Sequence, residues 1–242
     1  MEAYNVYKDI QDRTGGEIYI GVVGPVRTGK STFIKKFMDT IVIPHIPEGL
    51  ERERAIDELP QSAAGRTIMT TEPKFIPEQA VSVQVDEDAM FQVRMIDCVG
   101  YIVPSAIGYI EGEQPRMVRT PWYEEPIPFN MAAEIGTRKV ITEHSTIGLV
   151  VTTDGSISDI PREEYEEAEE RVIAELRETG RPFVMLLNCV EPQSSQSTAL
   201  AQRLGEKYAV PVLPVSCVDI TEGDIKGIIA SLLYQFPVRE VE

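Results

Sequence analysis

The 242-residue sequence is poor in the residues that build metal centres and disulfide frameworks. It has three cysteines, Cys98, Cys189 and Cys217, and two histidines, His45 and His144. No Cys-x-x-Cys pair occurs, the histidines are isolated, and each cysteine adjoins an apolar segment. Because a structural zinc site needs four clustered ligands, this pattern argues against zinc. The sequence instead predicts buried free thiols in a reducing compartment.

Long apolar runs and basic charge are also lacking. The longest runs, such as FVMLL, are far shorter than the roughly 20 residues that span a bilayer, and the N-terminal MEAYNVYKDIQDR has no apolar core of a secretory signal. The formal net charge of −16 argues against nucleic-acid binding and against direct docking on anionic lipid, since both need a basic surface. We therefore expect a cytoplasmic protein with no nucleic-acid partner and no transmembrane insertion.

Strand-like and helix-like segments alternate along the chain. The predicted strands are Glu17–Val23, Val81–Val85, Phe91–Ile96, Thr146–Thr152, Phe183–Asn188 and Val212–Val215. The predicted helices are Ser31–Thr40, Asn130–Glu143, Arg162–Thr179, Gln196–Lys207 and Asp224–Phe236. This alternation predicts an α/β fold with a mostly parallel sheet and helices on both faces. The short link DEDAM joins the second and third strands, which indicates a hairpin and one antiparallel edge strand.

Residues 24–31, GPVRTGKS, match the phosphate-loop pattern G-x-x-x-x-G-K-[ST] between a predicted strand and a predicted helix. The predicted nucleotide-binding residues here are Gly24, Pro25, Val26, Arg27, Thr28, Gly29, Lys30, Ser31 and Thr32. The two glycines let backbone N–H groups converge on phosphates, and the helix presents its positive dipole end to the same anion. We expect Lys30 to bridge the β- and γ-phosphates, Ser31 to bind Mg²⁺ and Thr32 to lie near the α-phosphate.

A second element, FQVRMIDCVG, is a predicted strand that ends in Asp97 and continues as D-x-x-G to Gly100. Such a carboxylate holds Mg²⁺ directly or through water, and the Gly100 N–H can reach the γ-phosphate. In GRTIMTTEPKFIP, Thr70 and Thr71 are the candidates for a switch threonine over the metal, Thr67 is a weaker one, and the residues do not decide between the first two. We predict Lys30, Thr70, Thr71 and Asp97 as catalytic residues, and Ser31, Asp97 and Thr70 as metal ligands.

The nucleobase motif departs from the guanine-binding pattern N-K-x-D. The chain has NCVE, with Asn188 retained, Cys189 in place of lysine and Glu191 in place of aspartate. A cysteine cannot lay an aliphatic stem along the base, and guanine discrimination should fall when its paired acceptor is misplaced. The motif favours ATP, with Asn188 and Ser216 near the base, although these two residues keep a GTPase switch open as an alternative.

Tyr101 follows the D-x-x-G glycine, where Ras-like enzymes place a glutamine that orients the attacking water. We therefore expect slow hydrolysis, or assistance from Thr70, Thr71, Arg66 or a neighbouring subunit. A scaffold that binds nucleotide without turnover is a further alternative.

Two long segments do not fit the alternation, and loops of this length are usually functional or mobile. We interpret residues 43–77 as a switch I region and residues 97–130 as an extended switch II region. The second contains TPWYEEPIPFN, whose Trp122 marks either a rigid packed loop or a lid or subunit contact. The whole chain is interpreted as an N-terminal extension, 1–16, and a P-loop ATPase domain, 17–238.

Six stretches carry a family resemblance: GPVRTGKSTFIKKF, TTEPKF, IDCVGY, PRMVRTPWYEEPIPF, AAEIGTRKVITEHSTIG and TTDGSI. They cover most of residues 17–160 and resemble the nucleotide-binding domain of the stage IV sporulation protein A family, the spore-coat morphogenetic ATPases of endospore-forming bacteria. The resemblance implies a P-loop NTPase fold of the translation-factor-related, GTPase-like branch, and Mg²⁺-dependent ATP hydrolysis. It also implies that Lys30 is the Walker A lysine, Asp97 the Walker B aspartate, and Thr70 and Thr71 the sensor threonines.

The same resemblance implies the setting in which the ATPase works. Family members polymerise into the coat basement layer on the outer surface of the forespore, within the mother-cell cytoplasm. A small amphipathic membrane-anchoring coat protein recruits them, and other coat or cortex morphogenetic proteins bind them. Because family chains continue into middle and C-terminal regions, we expect this chain to be a truncated domain without those regions.

Overall fold

The computed structural model describes residues 10–11, 14–60, 73–86, 89–106 and 108–236. In chain order the elements are β1 (Glu17–Val23), α1 (Lys30–Phe37), α2 (Leu50–Asp57), β2 (Lys74–Asp86), β3 (Ala89–Asp97), β4 (Ile110–Glu111), β5 (Gln114–Pro115), β6 (Met117–Thr120), β7 (Tyr123–Pro128), α3 (Phe129–Lys139), β8 (Ile147–Thr153), α4 (Glu166–Glu178), β9 (Phe183–Asn188), α5 (Ser195–Tyr208), β10 (Val212–Val215) and α6 (Glu222–Leu233). One π-helical turn extends α1 through Met38–Val42, and another extends α3 through Val140–His144. Short 3₁₀ turns cover Ile43–His45 and Arg162–Tyr165.

The central sheet has six strands in the order β10-β9-β8-β1-β3-β2. The pairs β1–β3, β1–β8, β8–β9 and β9–β10 are parallel. Strand β2 pairs antiparallel with β3 at the sheet edge. The predicted parallel sheet with one antiparallel edge strand is therefore confirmed.

Side chains of the strands alternate between two cores, one on each face of the sheet. Ile147, Leu149 and Val151 of β8 lie in the core that also holds Phe33 of α1 and Ile228 of α6. The opposite core holds Val150 of β8 together with buried residues of α4 and α5. Strands β8 and β9 are buried at every residue, so their sequences are nearly continuous apolar runs. Each fully buried aliphatic side chain contributes about 1.5–3 kcal/mol.

Helix α4 and the 3₁₀ turn before it are rich in charged residues but bury one apolar stripe. Tyr165, Ala168, Val172 and Leu176 are all buried against the sheet. The three cysteines are buried and unpaired, as predicted. Within the described ranges, no helix is long and apolar enough to cross a bilayer.

The long segments predicted as irregular contain regular structure. Helix α2 lies in the first, and the hairpins β4–β5 and β6–β7 lie in the second. The β4–β5 turn uses Gly112 and Glu113, both with positive φ (56° and 67°), as a two-residue type I′ turn requires. These strands have two to six residues, and their proline content obscured a strand pattern in the sequence.

The carboxyl ends of β1, β3 and β9 meet at one edge of the sheet. Gly24 follows β1, Asp97 ends β3 and Asn188 ends β9. Strand β1 has β3 on one side and β8 on the other, so the chain adds later strands first on one side of β1 and then on the opposite side. In open α/β sheets such a switch point forms a ligand-binding crevice.

Candidate nucleotide-binding site

The loop between β1 and α1 has the backbone geometry that its glycines predict. Gly24 has φ 139° and Gly29 has φ 95°, a region that other residues rarely adopt. A Cβ atom on Gly24 would lie 2.3 Å from the Val151 carbonyl oxygen, and one on Gly29 would lie 2.2 Å from Asn188 Nδ2. Glycine is therefore required twice, for conformation and for close packing against β8 and β9.

Helix α1 begins at the end of this loop without a side-chain cap. Its N-cap is Gly29, no side-chain hydrogen bond caps it, and its first turn has no acidic residue. The first N–H groups of a helix have no intrahelical partners, and they carry the positive end of the dipole. This end of α1 is therefore suited to bind an anion.

The remaining predicted loop residues are held in different ways. Pro25, Val26 and Thr28 are buried, and the Thr28 hydroxyl donates to the Pro25 carbonyl at 3.0 Å. Arg27 is exposed and has φ 59°, whereas Thr32 is half-buried in the first turn of α1. The interior of the loop is thus rigid, and Arg27 faces solvent.

Lys30 is the first residue of α1, and its side chain curls back over the loop. It is only 4% exposed, and its Nζ donates to the Pro25 carbonyl at 2.6 Å. The Gly24 carbonyl lies 3.5 Å away. Burial lowers the pKa of Lys30, and the neighbouring Cys98 and Asp97 oppose this effect. An ammonium held in so dry a site gains strongly from a phosphate beside it.

Ser31 and Asp97 form the second part of the site. The Ser31 hydroxyl donates to Asp97 Oδ2 at 2.9 Å. Asp97 Oδ1 is buried and has no hydrogen-bond partner in the part of the chain that the structure describes. Burial raises the pKa of Asp97, and the nearby Lys30 charge is the largest effect that opposes it. A free buried carboxylate oxygen beside a serine hydroxyl fits Mg²⁺, which prefers oxygen ligands and keeps several waters.

The predicted switch threonines lie outside the described residues, and so does the alternative water-orienting residue. Thr67, Thr70, Thr71 and Arg66 all belong to the undescribed segment 61–72. Their assignment as metal-binding and catalytic residues stays a prediction.

The D-x-x-G segment is bound directly to the phosphate loop. The Tyr101 N–H donates to the Gly24 carbonyl at 3.2 Å, and the Tyr101 carbonyl accepts from the Val26 N–H at 2.8 Å. Gly100 has φ 92°, and a Cβ atom there would lie 2.6 Å from Lys30 Nζ. The Gly100 peptide therefore packs against the phosphate loop and Lys30, but its N–H donates to the Thr137 hydroxyl at 3.2 Å. The predicted contact of this N–H with the γ-phosphate requires the N–H to leave the Thr137 hydroxyl.

The Tyr101 side chain is directed to α4. Its hydroxyl donates to Glu175, and the guanidinium of Arg171 lies 4.5 Å from the centre of its ring. Arg171 is in turn paired with Glu134 of α3 at 2.9 Å. Burial, followed by the bond to Glu175, raises the pKa of Tyr101. Tyr101 is thus an anchor between the switch segment and two helices.

Asn188 connects the phosphate loop to the loop after β10. Its Nδ2 donates to the Thr28 carbonyl at 3.0 Å, and its Oδ1 accepts from the Cys217 N–H at 3.0 Å. Asn188 is buried, so both of these bonds are shielded from water. The residue predicted to lie near the base therefore joins the two loops that would surround a nucleotide.

The residues after Asn188 do not present the side chains of a guanine site. Cys189 is fully buried, whereas Val190 is 59% exposed and Glu191 is exposed. The Val190 N–H donates to Ser156 Oγ at 3.0 Å, which fixes this turn against the loop after β8. The predicted base contact Ser216 is half-buried, and its hydroxyl donates to Asp219 at 2.8 Å.

Sequence reasoning missed three residues around the site: Thr137, Ser156 and Cys217. Thr137 is an internal helix residue, and Cys217 acts through its backbone N–H, so neither had a motif to reveal it. Ser156 lies in TTDGSI, where Asp154 Oδ1 accepts from the Ser156 N–H at 2.9 Å. That local turn was visible in the sequence, but its contact with β9 was not.

The geometry agrees with what comparisons with known proteins find. A family model described as stage IV sporulation protein A, ATPase domain, matches residues 1–237. The chain belongs to the stage IV sporulation protein A family. It is 60% identical over 241 residues to the stage IV sporulation proteins A of Bacillus anthracis and Bacillus subtilis (strain 168), which covers 100% of this chain and 49% of each relative. It is 53% identical over 237 residues to that of Clostridioides difficile (strain 630), with 98% of this chain and 48% of the relative covered.

The resemblance predicted from the motifs is confirmed, and so is the P-loop NTPase fold class. The match is to the ATPase domain of a sporulation family, which supports ATP and nucleotide binding. The chain spans about half the length of the curated relatives it matches.

Proposed function

We propose that the chain is a Mg²⁺-dependent ATPase domain whose nucleotide cycle sets the conformation for assembly of the spore-coat basement layer. The observation that carries the proposal is the arrangement of Lys30, Ser31 and Asp97. In the part of the chain that the structure describes, a buried ammonium and a half-buried carboxylate whose Oδ1 has no hydrogen-bond partner flank the start of α1, which has no side-chain cap. In Mg·triphosphate, the phosphates would supply negative charge beside the Lys30 ammonium, and the metal would supply positive charge beside the Asp97 carboxylate.

Each residue has a distinct task in this proposal. The N–H groups of α1 and the phosphate loop bind the phosphates, while Lys30 bridges the β- and γ-phosphates. Ser31 and Asp97 hold Mg²⁺, with Thr70 or Thr71 closing over it. A metal held by these residues would supply positive charge against the negative charge that develops during phosphoryl transfer.

ATP is the proposed substrate because the base loop lacks the side chains that read guanine. The position expected to supply a lysine stem holds Cys189, which is fully buried. Glu191 replaces the aspartate that accepts two bonds from guanine, and its longer side chain is exposed to solvent. A site without its paired acceptor loses most of its selectivity for the group it should recognise.

Slow turnover is proposed because Tyr101 cannot orient water as a glutamine would. Its hydroxyl is occupied by Glu175. The chemistry then depends on positioning by the switch threonines or on a group from a neighbouring subunit.

Self-assembly is proposed from the family and from the exposed apolar side chains of the switch II extension. Ile110, Met117, Tyr123 and Met131 are each at least 40% exposed on β4, β6, β7 and α3. A rim of this kind suits a protein contact. We further propose, from the family resemblance, a location on the forespore outer membrane surface. Recruitment there would be by a small amphipathic membrane-anchoring coat protein, with other coat or cortex morphogenetic proteins as partners.

Phosphate release from ATP with Mg²⁺ tests the proposal. Lys30→Ala should abolish release, whereas Lys36→Ala, which removes an equal charge from the same helix outside the cradle, should retain it. Sedimentation with ATP and with ADP, on a chain that includes the family's C-terminal regions, should show nucleotide-dependent assembly. Tight ATP binding without any release would indicate a scaffold, and a strong preference for GTP would indicate a GTPase switch.

A further inference from the structure

The Gly100 N–H makes a hydrogen bond that the nucleotide site does not explain. It donates to Thr137 Oγ1 on α3, 37 residues further along the chain. Thr137 is completely buried, and its own hydroxyl donates to the Ala133 carbonyl at 2.8 Å. The hydroxyl proton is therefore committed to the helix, and its oxygen is free to accept from Gly100.

The Gly100 peptide has little freedom to serve two acceptors. A Cβ on Gly100 would lie 2.2 Å from the Gly24 carbonyl oxygen and 2.6 Å from Lys30 Nζ, so the residue is packed against the cradle. Its N–H donates to the buried Thr137 Oγ1 at 3.2 Å, and that oxygen also lies 3.7 Å from Cys98 Sγ. A phosphate beside Lys30 Nζ could therefore accept from this N–H only if the N–H left Thr137.

We propose that Thr137 is a positioning residue that competes with the terminal phosphate of a nucleoside triphosphate for the Gly100 N–H. The inference rests on the proposed function, since it concerns the same phosphate site. A triphosphate that takes this N–H leaves the buried Thr137 oxygen without its donor. A diphosphate has no terminal phosphate there, so Thr137 keeps the bond.

Thr137 also connects this exchange to the switch II extension. Helix α3 directly follows β7 and packs against the β6–β7 hairpin. Lys139, two residues from Thr137, has its Nζ 5.9 Å from the ring centre of Trp122 in the hairpin turn. A shift of α3 on loss of the Gly100 bond would change the surroundings of Trp122, the one tryptophan of the chain.

The test compares Thr137→Val with two matched variants. Thr137→Val keeps the shape but removes the hydroxyl, and Thr137→Ser restores it. Thr142→Val is the control, because the Thr142 hydroxyl donates to the Arg138 carbonyl at 2.9 Å but accepts no hydrogen bond from the described residues of 97–130. Affinities for ATPγS and for ADP are measured by calorimetry with Mg²⁺, and Trp122 emission is recorded in each complex.

The competition predicts that Thr137→Val favours ATPγS over ADP by about tenfold more than the parent chain does. The reason is that, in this variant, the Gly100 N–H gives up no hydrogen bond to Thr137 when it binds the terminal phosphate. The difference in Trp122 emission between the two complexes should fall by at least half. Thr137→Ser and Thr142→Val should behave like the parent in both measurements. An unchanged affinity ratio and emission difference in folded Thr137→Val would overturn the proposal.

Two other outcomes are interpreted differently. If the parent chain binds neither nucleotide, the proposed function itself is wrong. If Thr137→Val does not fold, methyl NMR of the parent decides the question, because the Thr137 methyl resonance should shift with ATPγS and not with ADP. An equal response to both nucleotides would contradict the competition.

Discussion

Replacement of Asn188 by alanine should lower the free energy of unfolding by about 2–6 kcal/mol. Two buried backbone groups depend on this side chain, the Thr28 carbonyl and the Cys217 N–H, each bonded at 3.0 Å. Leaving one such group unsatisfied costs about 1–3 kcal/mol. Total stability is about 5–15 kcal/mol for a native protein, so the loss is large. For a domain of this size it corresponds to a fall in Tm of roughly 4–24 °C.

Asn188→Asp adds a pH test of the same geometry. The aspartate can still accept from Cys217, but its second oxygen faces the Thr28 carbonyl and repels it when ionised. Burial and this repulsion both raise the folded-state pKa of the new carboxyl. A folded state that binds more protons than the unfolded state loses stability as pH rises. The variant should therefore approach the parent as pH falls from 7 to 5.

Urea unfolding monitored by circular dichroism measures both effects, with Ser216→Ala as the control. Among the described residues, the Ser216 hydroxyl bonds the exposed Asp219 of its own loop, so its loss should change stability by less than about 0.5 kcal/mol. A loss below 1 kcal/mol for Asn188→Ala, with an unchanged urea dependence, would refute the bridging role.

Three further predictions concern the loop, the switch anchor and the metal. Gly24→Ala should destabilise the fold strongly, because its Cβ would lie 2.3 Å from the Val151 carbonyl. Gly227→Ala in α6, where nothing lies within 4 Å of the new atom, should stabilise it by about 0.5–1 kcal/mol; both are read from urea midpoints. Tyr101→Phe should cost about 0.5–1.5 kcal/mol through its bond to Glu175 while leaving the rate of ATP hydrolysis near that of the parent, and a large loss of rate would contradict the anchor role. ATP at 100 times its Kd should stabilise the fold by about 2.7 kcal/mol, which is measured as a rise in Tm. Removal of Mg²⁺ with EDTA should abolish most of that rise, and an undiminished rise would contradict metal binding at Asp97.

Strands β1 and β9 were predictable because nearly all of their residues are buried. Glu17–Val23 and Phe183–Asn188 are short apolar runs bounded by loop residues, and the structure has strands with the same ends. The hairpins of the switch II extension were not predictable by the same means. Their strands are short and exposed, and the β4–β5 turn uses Gly112 with Glu113, which is not a common turn pair.

The site was predictable where one segment carries a whole motif. The phosphate loop and Asp97 belong to local patterns, and the structure brings Lys30, Ser31 and Asp97 together. The contacts of Asn188 and Thr137 join segments far apart in the chain, so no local pattern reveals them.

The central claim is that this site splits ATP rather than GTP. The most direct measurement is kcat/KM for Mg·ATP and Mg·GTP under the same conditions, with Lys30→Ala to subtract any contaminating activity. The proposed function predicts hydrolysis that depends on Lys30, with a kcat/KM for Mg·ATP at least equal to that for Mg·GTP, since a site without paired guanine contacts loses its discrimination in favour of guanine. A preference for GTP, or turnover that survives Lys30→Ala, would contradict it.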